Sequence, residues 1–297
     1  METNNNQKGI LSTDEGLVVL SLCDGISCGR LALERAGIKV KQYYASEIKD
    51  IAIQVTMDNY PDTIQLGDVT KIHYINGILE TENGNFDVGK IDIVMFGSPC
   101  QTFSIAMKTD KRIGLADKEK SGLFLECHRI LREVNPRYFL MENVARMKDS
   151  DRDIISQMMG VEPIRINSKL VSAQLRDRYY WTNIENVTQP EDKGILLKDI
   201  ITSGYVDRDK ARALLVSDCR PLTTKEKMIH RYKKFTTLIW EIEGDDNSVR
   251  YMNQIELERC QTVPEGYTKC LNRNDAANVL GDGWTVDIIS HILSFIK

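Results

Sequence analysis

The first half of the chain alternates short apolar segments with helical segments, and this pattern constrains the fold more than any other feature. Apolar runs at Leu17 to Leu22 and Ile91 to Phe96 predict buried strands. Further strands are predicted to end at Tyr44-Ala45 and Gln65-Leu66, and others at Arg137 to Met141, Arg165 to Leu170 and Tyr179 to Asn183. Helices are predicted over Arg30 to Ala36, Ser121 to Val134, Gln254 to Cys260 and Thr285 to Ile296. Such alternation is typical of a parallel sheet with helices on both faces, so the sequence predicts an α/β fold.

Acidic residues follow three of the predicted strands in succession. The first turn carries Asp24 and Gly25 without the full GxGxxG spacing, and a glycine there lets the backbone approach a ligand closely. Glu47 follows the second strand, 23 residues after Asp24, where a carboxylate can accept hydrogen bonds from ribose hydroxyls. Asp68 follows the third strand and can accept from an adenine amino group. Three acids at successive strand ends favour an adenosine-containing ligand, and on this pattern alone NAD remains open.

Three chemically reactive side chains come at or after the next strands, namely Cys100, Glu142 and Arg178. They are the types that a reaction at carbon 5 of cytosine requires, because the ring is poorly nucleophilic there. A thiolate first adds to carbon 6, which pushes charge onto ring nitrogen 3 and oxygen 2. A protonated carboxyl can meet the nitrogen and an arginine can meet the oxygen, each contributing about 1.5–3 kcal/mol.

The order of these motifs resembles that of cytosine-5 DNA methyltransferases along nearly the whole chain. The matching segments are Asp24-Gly25, Gly97 to Cys100, Glu142 to Val144, Arg176-Asp177-Arg178 and Gly281 to Trp284. In finer detail the chain is similar to the animal de novo type, at Leu20 to Leu22 with Asp24 to Ile26, at Val171 to Ala173 and at Glu256 to Arg259. The resemblance implies a Rossmann-like, S-adenosylmethionine-dependent methyltransferase fold with a small target-recognition region.

The resemblance also assigns roles to individual residues. It implies that Cys100 is the nucleophile, that Glu142 protonates the ring and that Arg178 holds oxygen 2. The implied S-adenosylmethionine-binding residues are Asp24, Gly25, Ile26, Ser27, Cys28, Glu47, Asp68, Val69, Leu123 and Trp284. Two positions depart from the family pattern, since Cys23 stands where Phe is usual and Asp282 replaces a basic residue common in the animal branch.

The stretch from Glu185 to Val249 matches nothing in the family closely, and we expect it to recognise double-stranded DNA. Between Asp207 and Lys234 it holds nine basic and four acidic residues, a local excess of positive charge in a chain of net charge −4. Such a segment is either a solvated helical face or a phosphate-contacting surface. Its predicted DNA-contacting residues are Arg208, Arg212, Arg220, Lys225, Arg231 and Lys233.

Three further DNA contacts are predicted outside that stretch. Arg176 is one, and Lys108 and Arg112 belong to a loop expected to close over a flipped cytosine. The predicted organisation is a catalytic core at residues 1–184, a recognition region at 185–249 and a return to the core at 250–297.

Composition argues against several other classes of protein. The seven cysteines include no CxxC pair and no Cys/His cluster, so no metal site is expected. No run reaches the roughly 18 apolar residues of a membrane span, and the polar start from Met1 to Thr13 is unlike a signal peptide. Because no regulatory domain precedes the catalytic motifs, we expect a cytoplasmic enzyme of a bacterium or phage.

Three rival interpretations remain. A cytosine-5 tRNA methyltransferase would resemble this family, but such enzymes typically show Pro-Pro-Cys where this chain has Ser98-Pro99-Cys100. A catalytically silent DNA-binding paralogue is disfavoured by the presence of Glu142 and Arg178 with the cysteine. A nicotinamide dehydrogenase would need an acid–base pair that the strand ends do not offer.

Overall fold

The structure, a computed structural model, describes residues 16–98, 122–215 and 220–297. Its strands are β1 (Leu17–Leu22), β2 (Val40–Ser46), β3 (Ile64–Gln65), β4 (His73–Ile75), β5 (Ile78–Thr81), β6 (Gly84–Asp87), β7 (Ile93–Phe96), β8 (Tyr138–Val144), β9 (Ile164–Asn167), β10 (Gln174–Leu175), β11 (Asp177–Thr182), β12 (Ala211–Arg212), β13 (Leu238–Trp240) and β14 (Val249–Tyr251). Its helices are α1 (Cys28–Arg35), α2 (Asp50–Asn59), α3 (Gly122–Val134), α4 (Asp149–Met159), α5 (Leu197–Ile200), α6 (Lys225–Tyr232), α7 (Gln254–Cys260), α8 (Arg273–Asp282) and α9 (Val286–Leu293).

A seven-stranded sheet in the order β3-β2-β1-β7-β8-β11-β9 forms the centre of the molecule. The pairs from β3 to β8 are parallel, and β11 runs antiparallel to both of its neighbours. After β1 the chain builds the sheet outward through β2 and β3, then returns to place β7 on the other side of β1. This reversal opens a crevice at the carboxyl ends of β1 and β7, which is where ligands bind in open α/β sheets. The predicted α/β fold is confirmed.

The central strands are apolar on both faces because helices cover both. Adjacent residues of β1 point in opposite directions, so Val19 joins one buried cluster and Leu20 joins the other. Helices α1 and α9 pack together on the Val19 side, while α3 contributes Phe124 and Ile130 to the Leu20 side. Near-continuous apolar strands are the expected consequence of burial on two faces.

Two strands that carry site residues are longer than predicted. β8 continues to Val144, so Glu142 lies within the strand rather than after its end. β11 begins at Asp177, so Arg178 is also a strand residue. The cause is the antiparallel ladder between them, in which Val144 pairs with Arg178.

Three sets of strands lie outside the central sheet. β10 and β12 form a short parallel pair. β4, β5 and β6, which come between β3 and β7 along the chain, form a separate small antiparallel sheet. The sequence indicated no strands in this stretch. β13 and β14 pair with each other, and α6 packs on them around a separate apolar cluster that contains Tyr232 and Trp240. Helices α7 to α9 then return to the main core.

Neither a membrane span nor a metal cluster is found in the part of the chain that the structure describes. None of the helices within residues 16–98, 122–215 and 220–297 combines the length and apolar composition needed to cross a bilayer. Over the same residues, no group of three His, Cys, Asp or Glu side chains is placed to hold a metal ion.

Candidate active site

The turn after β1 has an unusual backbone. Cys23, Gly25 and Ser27 have φ angles of 52°, 64° and 56°, in the left-handed region. This conformation costs on the order of 1–3 kcal/mol for a residue with a side chain, and it persists only where neighbours hold it. The Asp24 carboxylate provides such contacts, because it accepts hydrogen bonds from Ser27 Oγ at 2.5 Å and Tyr43 Oη at 2.7 Å. The turn is therefore held in shape before any ligand arrives.

Asp24 is partly buried, and the three residues after Gly25 have buried side chains. Burial raises the pKa of Asp24, and the hydrogen bonds from Ser27 and Tyr43 act in the opposite direction. Ile26, Ser27 and Cys28 are exposed by 1%, 0% and 2%, so their side chains face the core rather than the crevice. Burial likewise raises the pKa of the Cys28 thiol to about 12, which makes it an inert packing group. Any contact of this segment with a cofactor would therefore come from its backbone, including Gly25, and not from these three side chains.

Glu47 connects the same turn to the carboxyl end of β2. One carboxylate oxygen accepts from the Gly25 amide at 2.8 Å, and the other accepts from the amides of Ile48 and Lys49 at 2.8 and 2.9 Å. A carboxylate offers about four acceptor positions. Glu47 can therefore keep these backbone bonds and still accept a hydrogen bond from a ligand hydroxyl.

Ile48 is a candidate site residue that the sequence analysis missed. Its side chain is 71% exposed and follows Glu47, which comes directly after the buried end of β2. After the neighbouring strand, Asp68 accepts from the Thr70 amide at 2.9 Å, and Val69 beside it is buried. An exposed apolar side chain directly after Glu47 could provide a surface for a flat ring. The available signal was an apolar residue directly after the predicted ribose acid.

Trp284 closes the crevice from the C-terminal part of the chain. A Cβ placed on Gly97 would lie 2.7 Å from Trp284 Nε1, and one on Gly29 would lie 3.4 Å from Trp284 Cζ3. The indole therefore packs directly on the backbone at the end of β7 and at the start of α1. Leu123, another predicted cofactor residue, is half-buried at the start of α3 and packs on the Leu20 side of the sheet.

Glu142 and Arg178 form an ion pair beside Gly97. Arg178 Nε lies 2.6 Å from Glu142 Oε1, and the two side chains are 14% and 11% exposed. Because Arg178 pairs with Val144, it is the diagonal neighbour of Glu142 on the same face of the sheet. A Cβ on Gly97 would lie 3.3 Å from Glu142 Oε2, so the backbone leaving β7 passes beside the carboxylate.

Ser98, two residues before the predicted nucleophile in the sequence, is hydrogen-bonded to β8. The Asn143 side chain donates to Ser98 Oγ at 3.2 Å and to its carbonyl at 3.4 Å, which ties the end of β7 to β8. Cys100 follows two residues later and lies outside the described residues, as do Lys108 and Arg112.

The predicted DNA-contacting residues differ in how far their charges are already engaged. Arg208 stacks on Tyr232 at 4.1 Å, Lys225 donates to the Val249 carbonyl at 2.6 Å and Arg212 donates to the Lys233 carbonyl at 3.4 Å. Arg231 is partly buried and donates to the Arg220 carbonyl at 3.4 Å, whereas Arg220 and Lys233 are themselves exposed.

Arg176 lies inside the protein rather than on a surface that DNA can reach. It is 3% exposed, and its guanidinium donates to the carbonyls of Gly283 at 2.8 Å and Gly281 at 3.3 Å. The spacing of Arg176 and Arg178 in the sequence does not reveal which of the two points inward.

Comparison with known proteins gives the chain relatives. Residues 17–162 match the family described as C-5 cytosine-specific DNA methylase. The Type II methyltransferase M.NlaIV of Neisseria lactamica is 36% identical over 145 residues, which cover 48% of this chain and 31% of that protein. The orphan methyltransferase M.Rho11sI of Bacillus phage rho11s is 28% identical over 203 residues, covering 63% and 37%. The matched part of the chain thus spans about a third of the length of these relatives.

A solved structure shares the fold. The Entamoeba histolytica methyltransferase EhMeth superposes with a TM-score of 0.69, covering 94% of this chain and 97% of that one at 12% sequence identity. At that identity the likeness concerns the fold alone, and it confirms the methyltransferase fold expected from the sequence.

Proposed function

We propose that this chain methylates carbon 5 of cytosine in duplex DNA, because residues 17–162 match the family described as C-5 cytosine-specific DNA methylase. The observation that carries this proposal is the Glu142–Arg178 ion pair at 2.6 Å, on adjacent strands beside the segment that leads to Cys100. A carboxyl and a guanidinium on one face match the polar atoms of a cytosine ring, and Cys100 follows two residues after Ser98 in the sequence.

The proposed reaction assigns one step to each group. The Cys100 thiolate forms a bond to carbon 6 of a flipped cytosine, and the ring electron pair moves toward carbon 5. Glu142, in its protonated form, gives a proton to nitrogen 3 while Arg178 donates to oxygen 2, so the charge that develops on the ring is met where it appears. After methyl transfer, nitrogen 3 returns its proton to Glu142 and a water molecule takes the proton from carbon 5. The electron pair of that C–H bond re-forms the double bond between carbons 5 and 6 and expels the thiolate, which restores the aromatic ring.

The crevice fits S-adenosylmethionine as the methyl donor. Glu47 keeps acceptor capacity for ribose hydroxyls, Ile48 offers an apolar face to adenine, and Asp68 follows the neighbouring strand. Trp284 packs against Gly97, which is three residues before Cys100 in the sequence. When bound there, S-adenosylmethionine supplies an electrophilic methyl group to the carbon that Cys100 has activated.

Residues 185–249 are the proposed recognition region. Its exposed cations, such as Arg220 and Lys233, are free to reach phosphates without leaving a buried partner. Arg208 is partly buried and stacks on Tyr232, so a contact from it would need rearrangement. Phosphate contacts of this kind fix the register of a protein on duplex DNA.

Covalent trapping tests the proposed function. A duplex that carries 5-fluorocytosine should form a denaturation-stable adduct with the wild-type protein when S-adenosylmethionine is present, because fluorine at carbon 5 cannot leave as the proton does. Cys100→Ser should form none, while Cys270→Ser, which removes another free thiol, should behave as wild type. An adduct on single-stranded RNA but not on duplex DNA would show that RNA, and not duplex DNA, is the substrate. No adduct on either nucleic acid would refute the mechanism.

A further inference from the structure

A buried polar network joins the strand pair that carries Arg178 to two distant segments. Arg176 is its centre, and its guanidinium donates to three backbone carbonyls. Two belong to Gly281, in the last turn of α8, and to Gly283, directly after that helix, at 3.3 and 2.8 Å. The third belongs to Leu214, in the predicted recognition region, at 3.4 Å. One buried side chain therefore contacts both the end of α8, just before Trp284, and the recognition region.

A second route connects the same two segments. Gln174, which is 0% exposed, accepts from the Leu214 amide at 3.3 Å and donates to Gln261 Oε1 at 2.9 Å. Gln261, also 0% exposed, donates to the Gly283 carbonyl at 3.0 Å. Leu214 is thus held through both its amide and its carbonyl, and the Gly283 carbonyl accepts from two side chains.

Because Arg176 is buried, losing any of these contacts costs free energy. A guanidinium removed from water is costly unless its N–H groups find acceptors. Displacing the Gly281 or Gly283 carbonyl would leave N–H groups of Arg176 buried and unpaired. Any shift of Gly281 to Gly283 therefore disturbs the same donor group that holds Leu214. Because Arg176 precedes Arg178 by two residues, the strand that carries the catalytic guanidinium shares this constraint.

We propose that Arg176 is a positioning residue that makes cofactor binding and DNA binding reinforce each other. A ligand that presses on Trp284 fixes the end of α8 at Gly281 to Gly283, and through Arg176 it fixes the recognition region at Leu214. DNA bound to that segment acts in the reverse direction, as binding linkage requires. This inference rests on the proposed function, since it takes S-adenosylmethionine and DNA as the two ligands.

The test is a thermodynamic cycle with S-adenosylhomocysteine and a cytosine-containing duplex. The dissociation constant of each is measured by calorimetry with and without the other. In the wild type we expect each ligand to tighten the other by roughly tenfold. In Arg176→Lys, whose single ammonium cannot hold three carbonyls in one plane, the factor should fall toward one.

The matched control is Arg165→Lys. Arg165 is 59% exposed and pairs with Asp177 at 2.6 Å, so it lies near the same strand but outside the network. This variant should keep the wild-type coupling factor. If Arg176→Lys fails to fold, Gln174→Asn shortens the second route and should lower the factor in the same direction.

Two results would overturn the inference. One is a wild-type protein that binds both ligands independently, and the other is an Arg176→Lys variant that keeps the full coupling factor. A wild type that binds neither ligand would instead remove the proposed function itself, and the inference with it.

Discussion

At the scale of single residues, the site depends on backbone that comes unusually close to side chains. Gly97 is the clearest case, because it lies between the Trp284 indole and the Glu142 carboxylate. No other residue fits there without displacement, since a Cβ would stand 2.7 Å from Trp284 Nε1 and 3.3 Å from Glu142 Oε2. The glycine is required by space and not by a left-handed φ angle.

Gly97→Ala should therefore damage the site while the fold survives. We expect kcat/KM for S-adenosylmethionine to fall on the order of a hundredfold, because both the indole and the carboxylate must shift. Gly122→Ala is the matched control, since a Cβ there meets no atom of the described residues within 4 Å. Steady-state kinetics give kcat/KM for both variants, and unfolding curves show whether each is still folded. Equal kcat/KM values in the two variants would show that the close packing at Gly97 is unimportant.

At the scale of elements, the basic stretch of the recognition region is divided by what each cation already contacts. Lys210 is part of that stretch, yet its ammonium donates to the carbonyls of Lys169, Ser172 and Ile195 at 2.7, 3.0 and 2.5 Å. Burial lowers the pKa of Lys210, as expected of an amine taken from water. Local charge density thus overstates the number of cations available to DNA.

Alanine variants of Arg220 and Lys233 should separate the two kinds of cation. Each should weaken DNA binding and reduce the slope of log affinity against log salt by about one unit, since one phosphate contact is lost. Lys210→Ala should leave the slope unchanged and lower the unfolding midpoint, because three backbone carbonyls lose their donor. Fluorescence anisotropy with a labelled duplex at several salt concentrations measures the slopes. A salt slope that changes only in Lys210→Ala would reverse this assignment.

At the scale of the whole molecule, a buried carboxylate connects Thr202 of the recognition region and Arg250, the residue directly after that region, to the core. Glu256 in α7 is 0% exposed and forms a bidentate ion pair with Arg250, with both distances 2.8 Å. It also accepts from the amides of Thr202 and Asn253 at 2.8 Å. Burial raises the pKa of Glu256, but the bonds from Arg250 and these amides outweigh it and leave the pKa below its ordinary value.

This arrangement predicts a pH-dependent loss of stability. Because the folded-state pKa is depressed, the stabilisation is fully present above the unfolded pKa of about 4.3 and is lost as the pH falls through the folded value. Glu256→Ala should cost about 3–5 kcal/mol at neutral pH, and its difference from wild type should shrink below about pH 4. Glu265→Ala, which breaks an exposed pair with Arg259, should cost less than about 1 kcal/mol. Urea unfolding across pH would contradict this if the two variants followed the same curve.

The sequence by itself determined the features that depend on neighbouring residues. Apolar runs gave β1 with the observed bounds, and α7 was placed correctly at Gln254–Cys260. The acids Glu47 and Asp68 were found because a parallel sheet collects its strand ends at one edge. These inferences use periodicity and spacing over a few residues, which the sequence displays directly.

Only the tertiary structure decided which distant residues meet. Trp284 packs on Gly29 and Gly97, and Arg176 turns inward to Gly283, through contacts between segments more than a hundred residues apart. The strand positions of Glu142 and Arg178 follow from the register between β8 and β11. Strand register and side-chain packing depend on contacts among residues far apart in the sequence, so no local sequence pattern predicts them.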